Sequence, residues 1–127
     1  GNTAVYLLYA GARIKSIQRK VEAETGVTIE HVLASGARVT LKEESEIALC
    51  CELLRFQEIV ELTLNTLLPS FLCDYLYNLC VKFTKFYQQC KVIHQPEQSS
   101  RLLIICAVER VLRLGYELIG IGFLERI

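Results

Sequence analysis

The first stretch of the chain, residues 2–21, carries two stripes of side chains at helical spacing. Apolar positions recur every three or four residues, which predicts a helix with one side in a core. That apolar stripe consists of Leu7, Ala10, Ile14, Ile17 and Val21. A second stripe, offset from the first, consists of Asn2, Tyr6, Tyr9, Arg13, Ser16 and Lys20. We expect Asn2 or Thr3 to cap this helix and Gly26 to follow its end.

A short helix and a longer one are predicted next. Thr28 is a capping residue for the short helix. The longer one is expected from residue 42 or 43 to about residue 68, with a bend near Arg55–Phe56, where the apolar stripe changes phase. Inward positions are expected at Val32 and Leu33 in the first, and at Ile47, Cys50 or Cys51, Leu54 and Ile59 in the second.

Two long apolar patterns complete the chain. Pro69 is suited to the first position of a helix, which then runs to about Cys90. The last helix is expected from residue 99 or 100 to about Ile119, after a polar connection. Inward positions are expected at Leu72, Leu76, Leu79 or Cys80, Phe83, Tyr87, Ile104, Val108, Val111 and Leu118. No segment has the pattern of a strand, so we predict an all-α bundle of about five helices in one domain, residues 1–127.

The charge of the chain limits the kinds of partner it can have. Fourteen Lys and Arg balance fourteen Asp and Glu, which argues against a sequence-independent nucleic-acid binder. Cations without acids lie in residues 1–21, whereas glutamates dominate residues 43–61. The run Glu43, Glu44 and Glu46 is interpreted as a solvated helix start. No apolar run reaches the length of a membrane span, so no membrane partner is expected.

The sequence lacks the usual arrangements of a catalytic or metal site. Six cysteines lie inside apolar periodic segments without a Cys-x-x-Cys pair, so we expect buried free thiols and no zinc. His31 and His94 lie in or beside connections and are interpreted as surface residues. There is no glycine-rich phosphate loop and no paired nucleophile and base. We therefore expect neither enzyme activity nor a bound cofactor or metal in this chain alone.

Tyr6, Tyr9 and Arg13 form the most distinctive chemical pattern. At positions i, i+3 and i+7 they place two aromatic rings and a guanidinium on one helix face. Unpaired bases stack on such rings, and an arginine can hold a phosphate or a base edge. The alternative is ordinary packing of tyrosine rings on a neighbouring helix or on a partner protein.

Several dispersed stretches resemble one family. The pattern Tyr6-x-x-Tyr9-Ala10-x-x-Arg13 looks like the opening of the anticodon-binding domain of arginyl-tRNA synthetases, which is named for a DALR motif. Further similar stretches are Leu53–Phe56 with Glu58–Ile59, Leu68–Pro69, Leu72–Tyr77, Phe83–Thr84, Phe86–Tyr87, Arg101–Leu103 with Cys106, Gly115 and Leu118–Ile121. The resemblance implies an all-helical domain whose partners are the tRNA(Arg) anticodon loop and the catalytic domain of the same polypeptide. It also implies that the parent enzyme uses ATP and Mg.

The resemblance assigns roles to individual residues. Tyr6 and Tyr9 would be stacking platforms, and Arg13 would contact a phosphate or a base edge. Weaker candidates for the anticodon loop are Tyr75 or Tyr77, Tyr87, Arg126 and Ile127. Tyr87 also lies on the expected core stripe, so a core role is the favoured interpretation for its ring. Departures from the family pattern occur at Gly11, Gln57, Phe123 and the C-terminal Arg126–Ile127.

Together these observations predict a tRNA anticodon-recognition domain from a eukaryotic-type cytosolic arginyl-tRNA synthetase, with a cytoplasmic location. The alternative is a helical module that docks on a protein without direct RNA contact. The two differ in their response to salt, because RNA affinity falls as ionic strength rises whereas an apolar interface changes little.

Overall fold

The computed structural model describes residues 3–120 and 122–123, and within them it contains six helices and no strand. The helices are α1 (Thr3–Thr25), α2 (Ile29–Ala34), α3 (Glu44–Leu54), α4 (Phe56–Thr66), α5 (Ser70–Gln89) and α6 (Gln98–Ile119). The all-α prediction is confirmed. The predicted third helix is divided at Arg55 into α3 and α4, at the place where its apolar stripe changes phase.

Helix α5 lies at the centre of the bundle and packs against α1, α3, α4 and α6. Its buried side chains are Leu72, Tyr75, Leu76, Leu79, Cys80, Phe83 and Phe86. Helix α6 approaches it closely at Gly115, where a Cβ atom would lie 2.5 Å from Cδ2 of Leu76. A side chain at position 115 would therefore displace the buried side chain of Leu76.

Helix α1 has the inward stripe that the sequence predicts. Leu7, Ala10, Ile14, Ile17 and Val21 are all buried. The buried hydroxyl of Tyr116 in α6 donates a hydrogen bond to the carbonyl oxygen of Leu7. Tyr116 is therefore a core residue that the apolar periodicity of α6 did not predict.

Several expected inward positions are wrong. Leu54 is 84% exposed, and Ile47, Leu33 and Leu118 are also exposed. In α3, the buried side chains are Ser45, Glu46, Leu49 and Glu52. The helix is turned so that Glu52 and Glu46 face the interior, although Glu46 was predicted to be solvated.

The prediction that Glu46 is solvated is wrong, because its side chain is 0% exposed. Its carboxylate accepts hydrogen bonds from the backbone N–H of Glu43 at 2.8 Å and of Lys42 at 3.2 Å. It also accepts from Nε of the buried Arg101 in α6 at 3.2 Å. Arg101 donates in turn to the carbonyl oxygen of Lys91 at 2.5 Å. One ion pair thus joins the start of α3, the connection after α5 and the start of α6.

The six cysteines are free thiols, but their burial differs from the expectation. Cys80 and Cys90 are buried, Cys51 is exposed, and the other three are partly buried. Burial raises the pKa of Cys80 to about 12, which keeps that thiol protonated. None of the described helices is long and apolar enough to span a membrane.

Replacing Arg101 tests the buried ion pair. Arg101→Met leaves the Glu46 carboxylate buried without its charged partner, which is expected to lower the free energy of unfolding by about 3–5 kcal/mol. Urea denaturation at neutral pH measures this loss. The matched control is Arg38→Met, which removes an exposed arginine and is expected to change stability by less than about 0.5 kcal/mol. Equal effects of the two substitutions would contradict the assigned role of Arg101.

The pH dependence of stability is a second test of the same pair. Burial by itself raises the pKa of Glu46, but hydrogen bonds from the Glu43 backbone, from Arg101 and from the Lys42 backbone outweigh it, so the net pKa lies below the usual value. A lowered folded-state pKa gives stability that is present above the unfolded-state pKa and is lost as pH falls through the folded-state value. Between about pH 5 and about pH 3, stability should therefore fall more steeply for the wild type than for Glu46→Gln. Urea titrations across this range measure both slopes, and identical slopes would exclude Glu46 as a contributor.

Candidate nucleic-acid interface

The rings of Tyr6 in α1 and Tyr77 in α5 are in contact. Their centroids are 5.1 Å apart at an interplanar angle of 44°. The Tyr6 hydroxyl lies 3.4 Å from Oγ1 of Thr84, within hydrogen-bonding distance. The side chain of Tyr6 is therefore held by the ring of Tyr77 and by the hydroxyl of Thr84. Tyr77 remains 40% exposed. The tilted pair therefore presents aromatic surface to solvent in a fixed orientation.

Tyr9 and Arg13 lie beside this pair on the outer stripe of α1. Tyr9 is 50% exposed, and Arg13 is also exposed. With Tyr6, Ala10 and Thr84 they line a shallow recess of about 160 Å³. We name it the tyrosine recess. Within residues 3–120 and 122–123, no carboxylate lies within ion-pair distance of Arg13, so its guanidinium can bind an external anion.

Tyr75 does not belong to this surface. Its side chain is 3% exposed, and its hydroxyl donates to the carbonyl oxygen of Glu52 at 2.7 Å. The ring packs against Phe56 with centroids 5.9 Å apart. Burial, followed by the nearby Glu52 charge, raises the pKa of Tyr75. The expectation that its ring could stack on a base is wrong, because both faces are in the core; of the pair Tyr75 or Tyr77, only Tyr77 is accessible.

Tyr87 lies further along α5 and does not reach the tyrosine recess. Its ring is stacked on Phe83, with centroids 6.4 Å apart and an interplanar angle of 12°. It is partly buried against the core, as the stripe of α5 predicted. Its outer part lines a second recess of about 300 Å³, together with Ile17, Lys20, Cys90, Lys91, Val92 and Ile93. We name this the lysine recess.

A larger cleft, of about 390 Å³, lies between α1, α2 and α6. Its central carboxylate, Glu109, accepts hydrogen bonds from Gln18 and Arg113, both at 2.9 Å, and forms an ion pair with Lys15 at 3.4 Å. Burial by itself raises the pKa of Glu109. The hydrogen bonds from Gln18 and Arg113 and the charges of Lys15 and Arg113 outweigh burial, so the net pKa of Glu109 lies below its usual value. Two cations of this cleft, Lys15 and Arg113, are thus paired with Glu109 inside the protein. The described residues contain no cluster of three His, Cys, Asp or Glu side chains that could hold a metal ion.

A family model matches almost the whole chain. Residues 7–127 match the family model described as DALR anticodon binding domain. The chain belongs to the DALR anticodon-binding domain family. All residues of the tyrosine recess on α1 except Tyr6 fall inside the matched range.

The DALR domain has close relatives in longer proteins. It is 47% identical to the arginine–tRNA ligase of Rippkaea orientalis over 99% of this chain and 21% of the relative. It is 50% identical to the chloroplastic/mitochondrial arginine–tRNA ligase of Arabidopsis thaliana over 95% of this chain and 18% of the relative. The solved arginyl-tRNA synthetase of Plasmodium falciparum matches with a TM-score of 0.86 and 33% identity, over 100% of this chain and 22% of that one.

These relatives set the level at which the DALR domain can be classified. It spans about a fifth of the length of the relatives. They include bacterial, organellar and cytoplasmic enzymes. The comparison therefore supports membership of the family but does not assign the domain to a eukaryotic cytosolic lineage.

Two of the departures from the family pattern contact each other. A Cβ atom at Gly11 would lie 2.9 Å from the ring of Phe123, which is too close for an unshifted side chain. The guanidinium carbon of Arg113 lies 3.9 Å from the centroid of the same ring, a cation–π arrangement. Tyr116 packs beside it, with ring centroids 5.9 Å apart. The glycine in the middle of α1 therefore provides space for Phe123.

Arg126 and Ile127, also expected near the site, lie outside the described residues.

A double-mutant cycle tests the contact between Gly11 and Phe123. In an unobstructed helix, Gly→Ala stabilises by about 1 kcal/mol. Gly11→Ala is expected instead to destabilise this domain by about 1 kcal/mol or more, because the new methyl group meets the Phe123 ring. In a Phe123→Ala background, the same substitution should become stabilising. Urea denaturation of the four proteins gives the coupling energy, and additive effects would show that the two residues do not touch.

Proposed function

We propose that this DALR domain recognises the anticodon loop of a tRNA as part of an arginine–tRNA ligase. The observation that supports this most directly is the tyrosine recess, in which Tyr6, Tyr9 and Arg13 lie together on the surface of a domain from an anticodon-binding family. The relatives that it matches over almost its full length are named arginine–tRNA ligases.

In this proposal, unpaired bases stack on the exposed rings. Each base stacked on an aromatic side chain contributes about 1–3 kcal/mol. Tyr9 supplies the most exposed ring, and Tyr77 extends the surface across to α5. Tyr6 is held by Tyr77 and Thr84, so little side-chain freedom is lost when RNA binds. Arg13 holds a phosphate or a base edge through its guanidinium.

The remaining parts of the proposal concern the parent enzyme. Its catalytic domain, in the same polypeptide, would bind ATP and Mg and attach arginine to tRNA(Arg), whereas this domain would supply recognition and no catalysis. Arg126 and Ile127 remain predicted contacts to the anticodon loop. A cytoplasmic location also remains a prediction, because the relatives include an organellar enzyme.

A docking role is a second candidate, supported by a separate apolar surface. Leucines at the end of α3, on α4 and before α5 are strongly exposed; they are Leu54, Leu62, Leu64, Leu67 and Leu68. None of them lies on α1, which carries Tyr9 and Arg13. RNA recognition and docking on a catalytic domain would therefore use different elements and can coexist.

Substitutions in the tyrosine recess test the proposed function. Tyr9→Ala is expected to weaken binding of a synthetic arginine anticodon stem-loop by about 1–3 kcal/mol, which is roughly a 5- to 150-fold rise in Kd. Arg13→Ala should lower the slope of log affinity against log salt by roughly 0.7, the value for one lost phosphate contact to a single strand. Tyrosine fluorescence titrations at several salt concentrations measure both quantities.

The controls separate recognition from folding. Arg38→Ala removes an exposed arginine in the connection between α2 and α3 and should leave affinity unchanged, and circular dichroism should show that all variants are folded. A stem-loop with a different anticodon should bind more weakly. Unchanged affinity in folded Tyr9→Ala would contradict the proposal, and unfolding of Tyr9→Ala would place that ring in the core.

A further inference from the structure

Two aromatic side chains, one in α6 and one just after it, hold a single turn of α1 between them. The buried hydroxyl of Tyr116 donates a hydrogen bond to the carbonyl oxygen of Leu7. The ring of Phe123 lies on Gly11, one turn further along α1, where a Cβ atom would be only 2.9 Å from it. The two rings also contact each other, with centroids 5.9 Å apart. We name Tyr116 and Phe123 the aromatic clamp.

The aromatic clamp is tied to α1 at a second place, through charged side chains of α6. The guanidinium carbon of Arg113 lies 3.9 Å from the centroid of the Phe123 ring, and Arg113 also donates to Glu109 at 2.9 Å. Glu109 accepts a hydrogen bond from Gln18 of α1 at 2.9 Å and pairs with Lys15 of α1 at 3.4 Å. The contacts therefore hold α1 at two successive places along its length.

The turn held by the clamp lies between two residues of the tyrosine recess. Tyr9 precedes Gly11 by two residues, and Arg13 follows it by two. Because two residues turn an α-helix by about 200°, both side chains project from the side of α1 opposite the Phe123 ring. Phe123 is not among the residues that line the tyrosine recess. The ring can therefore affect a ligand in the recess only through the backbone of α1.

Gly11 weakens this part of α1. A glycine inside a helix is disfavoured against alanine by a factor of roughly five, because glycine has the most backbone freedom to lose. The Phe123 ring occupies the space beside Gly11 that a side chain would need. Tyr116 holds the carbonyl oxygen of Leu7, which in a regular helix also accepts from the N–H of Gly11. The aromatic clamp therefore supports the turn that the glycine weakens.

We propose that Phe123 is a positioning residue for RNA recognition, an inference that rests on the proposed function. Its ring stabilises the helical form of α1 at Gly11 and so keeps Tyr9 and Arg13 at a fixed spacing and direction. RNA then meets a surface that is already ordered, and less affinity is lost to ordering of the protein. The ring itself makes no contact with the RNA.

Removal of the ring, followed by rescue at Gly11, is the first test. Phe123→Ala is expected to raise the Kd for the arginine anticodon stem-loop about fivefold, the factor by which glycine is disfavoured in a helix. Adding Gly11→Ala to this variant should return the Kd to the wild-type value. The alanine favours the helix at position 11 and no longer meets a ring there. Fluorescence titrations of the wild type and both variants measure the three values.

A control variant separates positioning from a general loss of stability. Ile59→Ala removes buried methyl groups from α4, a helix that packs mainly against α5, and lowers the stability of the fold. It should leave the Kd for the stem-loop unchanged at temperatures where circular dichroism shows the protein to be folded. An equal rise in Kd for Ile59→Ala and Phe123→Ala would overturn the positioning role.

Amide hydrogen exchange is a second test, and it requires no RNA. The amides of residues 11–15 close the helical turns that include Gly11. In Phe123→Ala, their exchange should become faster relative to the amides of α5, and Gly11→Ala should reverse the change. Unchanged relative exchange would show that the ring does not support this turn.

The outcomes distinguish the positioning role from the proposed function. If Tyr9→Ala weakens binding of the stem-loop while Phe123→Ala does not, the positioning role is overturned and the proposed function stands. If Phe123→Ala weakens binding and Gly11→Ala fails to rescue it, Phe123 acts by a route other than α1, which also overturns the positioning role. If the wild type shows no salt-sensitive binding of the stem-loop, both proposals are overturned.

Discussion

The buried pair of Glu46 and Arg101 is the constraint on which much of this bundle depends. A carboxylate without solvent exposure is tolerable only when nearby groups replace its hydration, and here two backbone N–H groups and one guanidinium do so. These groups come from α3, from the residues before it and from α6, far apart in the sequence. The pair therefore sets the rotation of α3, which turns Leu54 outward, and it fixes the backbone at Lys91 beside the lysine recess.

The sequence predicted the buried residues well in helices where apolar periodicity alone decides which side chains face the core. The stripe of α1 and most of the stripe of α5 are of this kind. It failed in α3 because Glu46 and Glu52 are buried by partners that lie far along the chain. Arg101 pairs with Glu46, and Lys82 pairs with Glu52 at 2.8 Å. Polar residues count as solvated in any local pattern, so only the tertiary structure shows that these two face inward.

In the candidate site, too, the relations within one helix were predicted from the sequence, and the relations between helices were not. Spacing within α1 was enough to put Tyr6, Tyr9 and Arg13 on one face, since that relation is local. The choice between Tyr75 and Tyr77 depended on how α5 is turned against α3 and α4, which the pattern of α5 did not decide. The contribution of Thr84 and the existence of the lysine recess depended on α5 lying beside α1. The predicted function came from the family resemblance. The same residues do not distinguish a eukaryotic cytosolic lineage, because the relatives include bacterial, organellar and cytoplasmic enzymes.

The contact between Gly11 and Phe123 has a consequence for how this domain can change over time. A bulky residue at position 123 requires the smallest residue at position 11, so neither position can be exchanged freely while the other stays as it is. An enlargement at position 11 is tolerated only after position 123 has lost its ring. Chimeras that combine the first helix of one relative with the last segment of another should therefore fold best when both positions come from the same parent.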